Sequence, residues 1–316
     1  MEYTKLGMAD LNVSRIGFGC WAIGGHGYGK VRDSESVEAI REALRLGINF
    51  FDTADVYGFG HSEEVLSKAL GRDRKNVVIA TKFGVSWNKD GKTFKDCSKK
   101  RIAKALDDSL KRLRLDCIPL YQIHWNDEKT PIAEIMESLQ KHRDAGKIKH
   151  IGCTNFTWKL IEEASVYCRI ESLQCRYHIA ERANEPTIKK CSEKLEMGII
   201  AYEALGRGLF SGKYDLESKF MGSDTRKSDS NFKGEKFRKN LRIAEILKLL
   251  GRNYAKSPSQ TAIRWVLDNP HVTCVIVGIK NKAQVHENIG ALSWGLKTKE
   301  RRHLEEEIKT CIQNHC

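Results

Sequence analysis

Eight short apolar runs recur along the chain, and most are separated by stretches with helical periodicity. The runs are R-I-G-F-G (15–19), I-N-F-F-D (48–52), N-V-V-I-A-T-K (76–82), C-I-P-L-Y-Q-I-H (117–124), K-H-I-G-C-T-N (149–155), S-L-Q-C (172–175), G-I-I-A-Y (198–202) and T-C-V-I-V-G (273–278). Each is short and apolar with little alternation, as a strand covered on both faces reads. Between the runs the period changes. Over 33–47, Asp33 or Ser34 can cap a helix, Val37, Ile40 and Leu44 mark one face, and Gly47 ends it. Over 98–113, Ser98 is the expected cap, and Ile102, Leu106, Leu110 and Leu113 form the buried stripe. Strands alternating with helices, with no hairpin signal between them, predict an α/β fold with a closed barrel or a large open parallel sheet; the spacing and the count of eight favour a (β/α)8 TIM barrel forming a single domain over 1–316. The stretch before the first run predicts a small hairpin plugging the barrel bottom.

One connection is too long for this scheme. Residues 203–238 follow the seventh run and hold glycines and basic residues. A connection of that length in a compact domain is usually functional, and a ligand-covering loop is expected here. Extra helices are predicted over 239–254, 258–268 and 298–312.

Composition removes several function classes. No apolar signal core opens the chain, and no window approaches 18 unbroken apolar residues, so no membrane association is expected. The ten cysteines include no C-x-x-C and no paired metal spacing, which predicts reduced thiols, a cytoplasmic setting and no metal site. The terminal His315–Cys316 pair cannot supply a closed ligand set. The net charge of +13 is spread over helical segments and mixed with Glu and Asp. No basic arm or aromatic platform accompanies it, so attraction of a small anionic ligand is expected rather than nucleic-acid binding.

Three of the runs stop on a reactive side chain: Asp52, Lys82 and His124, with Tyr57 just beyond the first. Side chains from successive strand ends converge at one face of such a barrel. A phenol titrates near pH 10. A nearby ammonium favours its ionised form and makes it a better proton donor to a carbonyl oxygen.

The motifs D-T-A-D-V-Y-G (52–58), A-T-K (80–82), I-H-W (123–125), I-G-C-T-N-F (151–156), L-Q-C-R-Y (173–177), G-R-G-L-F-S-G-K-Y (206–214) and I-V-G-I-K-N-K-A-Q-V-H-E-N (276–288) resemble those of the aldo-keto reductases, nearly end to end. The likeness is to the bacterial-type branch of inositol-operon and general-stress reductases, and more distantly to voltage-gated potassium channel β-subunits. The resemblance implies an NADPH-dependent reductase of aldehydes or ketones, with a small carbonyl or sugar-like substrate. It places the catalytic tetrad on Asp52, Tyr57, Lys82 and His124. It implies nicotinamide contacts at Thr154, Asn155, Gln174 and Tyr202, with Trp21 beside the cofactor at the mouth. The pyrophosphate would follow Leu205, Gly206, Arg207, Gly208, Leu209 and Lys213. The adenosine end would meet Gly278, Lys280, Lys282, Gln284 and Asn288, whose lysines favour NADPH over NADH. Substrate choice would fall to Trp21, Trp87, Trp125, Tyr177 and the 203–238 connection.

The chain departs from the pattern in places. Thr154 stands where Ser is commoner, Glu203-Ala204 where Ser-Pro often stands, and Lys280 where Arg is frequent. Arg176 and His178 flank Tyr177 in place of a small or acidic residue and Asn. The resemblance also leaves a second expectation, a nucleotide-binding regulatory or scaffold protein on the same fold. Oligomeric state is not fixed by any of these residues.

Overall fold

The computed structural model describes residues 1–25, 31–222 and 224–313. The eight apolar runs become eight parallel strands, their ends moved by no more than about two residues. They are β1 (Ile16–Gly19), β2 (Phe50–Asp52), β3 (Val78–Phe83), β4 (Ile118–Ile123), β5 (Ile148–Thr154), β6 (Ser172–Arg176), β7 (Gly198–Tyr202) and β8 (Cys274–Gly278). Each pairs with the next, and β8 pairs with β1, closing the (β/α)8 barrel.

Strand alternation sorts the side chains into two cores. Outward residues such as Ile79, Tyr121, Leu173 and Val275 pack under the helices. Inward residues such as Phe50, Val78, Ala80, Leu120 and Ile200 fill the lower barrel. Continuing each inward row upward gives Asp52 after Phe50, Lys82 after Ala80, Gln122 and His124 after Leu120, and Tyr202 after Ile200. The upper layer is therefore polar where the lower is apolar.

The expected plug is present. Tyr3–Lys5 pairs antiparallel with Asn12–Ser14, and Leu6, Leu11 and Val13 join the inner core.

Ten helices surround the described barrel: α1 (Asp33–Arg45), α2 (His61–Leu70), α3 (Lys99–Leu113), α4 (Ile132–Asp144), α5 (Trp158–Ser165), α6 (Glu185–Lys194), α7 (Gly234–Arg252), α8 (Pro258–Leu267), α9 (Lys282–Ile289) and α10 (Thr298–Gln313). Ser98 caps α3 as expected, accepting the Arg101 N–H, a bond worth about 1 kcal/mol. At α1 the cap expectation fails. Arg32 holds the N-cap position but makes no capping bond, its guanidinium pairing with Glu35 instead, and Asp33 lies inside the first turn, where its charge faces the positive end of the helix dipole. A second short hairpin, Val85–Trp87 with Thr93–Lys95, follows β3 and was not expected.

The long connection is shorter than its sequence suggested. Phe237 is buried and anchors the first turn of α7, so the helix starts at Gly234. Before it, Tyr214, Phe220 and Phe232 pack edge to face with one another, giving the connection a small core of its own.

Candidate active site

At the C-terminal face, Lys82 Nζ lies 2.6 Å from Asp52 Oδ1, 2.9 Å from the Thr53 carbonyl and 3.3 Å from the Tyr57 phenol oxygen. Three partners use the three protons of an ammonium. Asp52 Oδ2 in turn accepts from Gln174 at 2.7 Å and from Gln122 at 3.3 Å. Lys82 and Asp52 are almost wholly buried, so this mutual satisfaction is what makes two interior charges tolerable.

Tyr57 emerges on a tight turn after β2. Its ring meets His124 edge-on at 5.7 Å and stacks against Trp21 at 6.3 Å. Burial, with the charge of Lys82 as a lesser contribution, holds His124 well below the usual imidazole range, so the ring is neutral at physiological pH. Its Nδ1 is buried without a hydrogen-bond partner. A bare lone pair is the cheaper atom to leave there, which puts the proton on Nε2. The arrangement offers a neutral N–H donor and a phenol at one mouth, with an ammonium behind the phenol.

A second polar string follows β5. Thr154 Oγ1 donates to the His124 carbonyl, as does Asn155 Nδ2 at 3.2 Å, and Tyr202 donates to Asn155 Oδ1 at 2.7 Å. Asn155 takes a left-handed φ of 60°, aiming its amide across the mouth. The Asn155 backbone N–H donates to the Gln174 carbonyl at 3.1 Å, which ties this string to the Gln174 that bonds Asp52.

The segment after β7 turns through successive left-handed residues: Gly206 at 53°, Arg207 at 59° and Gly208 at 98°. Leu209 is buried in the outer core and partly buried Leu205 packs against it, so their side chains are committed elsewhere. Arg207 pairs with Asp229 at 2.7 Å, bonds Thr225 Oγ1, and lies over the Trp21 ring at 5.5 Å. That contact bridges the loops after β1 and β7.

Lys213, Arg226 and Lys280 gather near the β8 end. Burial holds the Lys213 ammonium below its usual range, and the charges of Arg226 and Lys280 add to the effect. Burial and Arg226 do the same to Lys280. The Lys280 N–H donates to Gln284 Oε1 at 2.7 Å. Asn288 is buried, and its Nδ2 has no partner. Lys282 lies farther out, 3.1 Å from Glu38 on an exposed face. The Gly278 backbone is open on its Cβ side.

Two departures noted in the sequence turn out to be partners. Arg176 Nε and Glu203 Oε2 lie 2.9 Å apart. Burial raises the Glu203 carboxyl, and Arg176 and Arg207 oppose the rise. Tyr177, expected at the mouth, is not there. Alternation sends it outward, fully buried against Trp265, with its hydroxyl donating to Glu185 at 2.7 Å. Trp87 and Trp125 do stand near the mouth, against Phe59 and under Lys95 respectively. Gln122 escaped the sequence reading, although its place two residues before His124 marks it as inward-facing.

Among the described residues, no group of three or more His, Cys, Asp or Glu is placed to hold a metal, and no helix is long and apolar enough to cross a membrane. The His315–Cys316 end lies outside the described residues.

Comparison with known proteins agrees with this construction. A glycerol dehydrogenase from Gluconobacter oxydans superposes with a TM-score of 0.92 at 35% identity, covering 99% of this chain and 97% of that one. Aldo-keto reductase yakc [NADP(+)] of Schizosaccharomyces pombe is 34% identical over 288 residues, covering 89% of this chain and 84% of its own length. The NADH-specific methylglyoxal reductase of Escherichia coli is 31% identical over 311 residues, covering 94% of this chain and 95% of its own. The sequence profile of the Aldo/keto reductase family matches residues 15–309. The chain belongs to the Aldo/keto reductase family, an oxidoreductase group acting on small carbonyl compounds.

Proposed function

We propose that the protein reduces an aldehyde or ketone to an alcohol with NADPH, and that Tyr57 is the general acid. The observation that carries the reading is the Lys82 ammonium, directed at the Tyr57 oxygen from 3.3 Å while Asp52 holds it from behind. When bound, the dinucleotide supplies the hydride. Tyr57 delivers its proton to the carbonyl oxygen, and the resulting phenolate faces the Lys82 charge. Neutral His124 offers Nε2–H to the same oxygen as charge develops on it.

The residues present fit such a cofactor. Thr154, Asn155 and Gln174 offer the donors and acceptors that an amide requires, beside the flat face of Tyr202. The backbone over 205–209, with Lys213, suits a pyrophosphate. Burial and then the charge of Arg226 lower Lys213 and Lys280, with Lys280 adding to the effect on Lys213 and Asp224 opposing it on both; a phosphate would relieve such crowding. The unpartnered Asn288 amide lies on α9 beside the Lys280–Gln284 contact, and Gly278 and Lys282 flank that end. Relatives divide on the cofactor, one named for NADP(+) and another for NADH. The clustered cations favour NADPH here. The whole chain acting as one domain, in a reducing cytoplasm that keeps its cysteines free, belongs to the same reading.

The test is oxidation of NADPH and NADH by the purified protein against aldehydes, ketones and sugar derivatives, repeated with Tyr57→Phe. The substitution should lower turnover at least about 10²-fold with NADPH affinity unchanged. A variant within tenfold of wild type removes Tyr57 from the role. Tight NADPH binding with no steady-state turnover by the wild type would favour the regulatory alternative.

A further inference from the structure

The turn that carries Tyr57 runs through three left-handed residues, two of them glycines that permit it. Gly58, Phe59 and Gly60 take φ of 60°, 57° and 101° in succession. Of the three, Phe59 alone carries a side chain that this region disfavours, and its N–H donates to the Val56 carbonyl at 3.1 Å within the turn. The turn is also pressed close: a Cβ on Gly58 would lie 2.1 Å from the Gly24 carbonyl oxygen.

A buried carboxylate stands on each side of this turn. Asp55 precedes Tyr57 by two residues and Glu63 opens α2 just after it, and both are fully buried. Each is met by an arginine of the same helix. Arg101, in the first turn of α3, donates to Asp55 Oδ2; Arg112, in the last turn, donates to Glu63 Oε2 at 2.7 Å. The Arg112 stem also touches the turn itself, its Cδ lying 2.8 Å from where a Gly60 Cβ would be. The other Glu63 oxygen accepts from Thr81, the neighbour of Lys82, at 2.6 Å. Arg101 further donates to the Val85 carbonyl at 3.2 Å and lies over the Trp87 ring at 5.1 Å.

We propose that α3 is a clamp: Arg101–Asp55 and Arg112–Glu63 grip the Tyr57 turn on both sides and hold its phenol in register with Lys82. The inference rests on the assignment of Tyr57 as the acid. Asp55 and Arg101 are positioning residues. They act through the backbone around Tyr57 and through the hairpin bearing Trp87. A second consequence is that the acid and the pocket wall are set by one guanidinium, so disturbing it moves both.

Asp55→Asn is the suitable variant, because it keeps the shape. It removes the charge that the Arg101 guanidinium faces and leaves the side-chain volume almost unchanged. Asp55→Asn should lower kcat at least about tenfold, with KM and the NADPH dissociation constant within about twofold. The isotope effect with NADPH deuterated at the transferred position should rise, since a misplaced acid makes hydrogen transfer more limiting. Arg101→Lys keeps the charge opposite Asp55 and should fall between wild type and Asp55→Asn. The clamp is overturned if Asp55→Asn keeps kcat within about twofold, or if kcat, KM and dissociation constant all worsen together with a lowered melting temperature. A wild type without NADPH-dependent reduction would instead sink the proposed function. The clamp is then read by the fluorine resonance of 3-fluorotyrosine at position 57, assigned with Tyr57→Phe. A resonance moved by Asp55→Asn supports the clamp, and an unmoved one overturns it.

Discussion

Asp52 and Lys82 meet at 2.6 Å with almost no surface exposed, whereas Lys282 and Glu38 meet at 3.1 Å with more than half of each side chain in solvent. Between these extremes lie Arg207–Asp229 and Arg176–Glu203, on the β6–β7 side of the mouth. On the β2–β4 side, the charged groups are bonded to one another. On the β7–β8 side, Arg207 is paired with Asp229, Arg226 with Asp224 and Lys282 with Glu38. On the proposed reading, it is here that the phosphates of the cofactor would meet the chain. One side is therefore a buried, mutually bonded unit, while the pairs on the other reach progressively into solvent.

The sharpest way to break this contrast is Lys82→Met. It leaves Asp52 buried without its partner and should cost about 3–5 kcal/mol of stability. Urea unfolding measures it, and adding Asp52→Asn should recover most of the loss. A cost below about 1 kcal/mol would mean that the pair is not a fixed unit. Next is Lys280→Met, on the β7–β8 side. It should weaken NADPH by about 1.5–3 kcal/mol and leave NADH nearly untouched; equal losses in the two dissociation constants would remove the cation cluster from cofactor choice.

His124 gives a third, smaller effect. Its folded pKa is depressed, so below about pH 6.5 the unfolded chain binds a proton there that the folded chain refuses. Stability is therefore complete above that pH and declines as pH falls. The decline should be steeper than in His124→Asn by up to about 1.4 kcal/mol per pH unit, seen in unfolding curves between pH 7 and 5. Parallel slopes would show that His124 is not held neutral. The smallest effect is expected at Lys282→Met, under about 1 kcal/mol in stability, because its pair is solvated. A larger cost would erase the distinction between the two sides.

Local periodicity carried the fold. The eight runs were readable because parallel strands covered on both faces must be apolar, and Asp52, Lys82 and His124 stood out as polar ends to those runs. What escaped depends on contacts distant in sequence. Arg176 and Glu203 lie 27 positions apart and looked like two separate oddities, yet the register of β6 against β7 makes them neighbours. Tyr177 was misplaced by one step of alternation, which sends it outward to Trp265. The early start of α7 followed from Phe237 finding Phe232, a packing event that no helical period announces. The clamp on Tyr57 was invisible for the same reason. Asp55 sits inside a matched motif, but only the fold brings Arg101 to it.

The N-terminal hairpin under the barrel has a consequence for traffic. With Leu6, Leu11 and Val13 wedged beneath Phe50, Val78, Leu120 and Ile200, the barrel has a solid floor, and among the described residues its polar layer opens toward the C-terminal face. Whatever enters must leave by the route it came. Loosening the floor would not give a rear exit. It would flood a dry interior and weaken the wall to which every strand is joined.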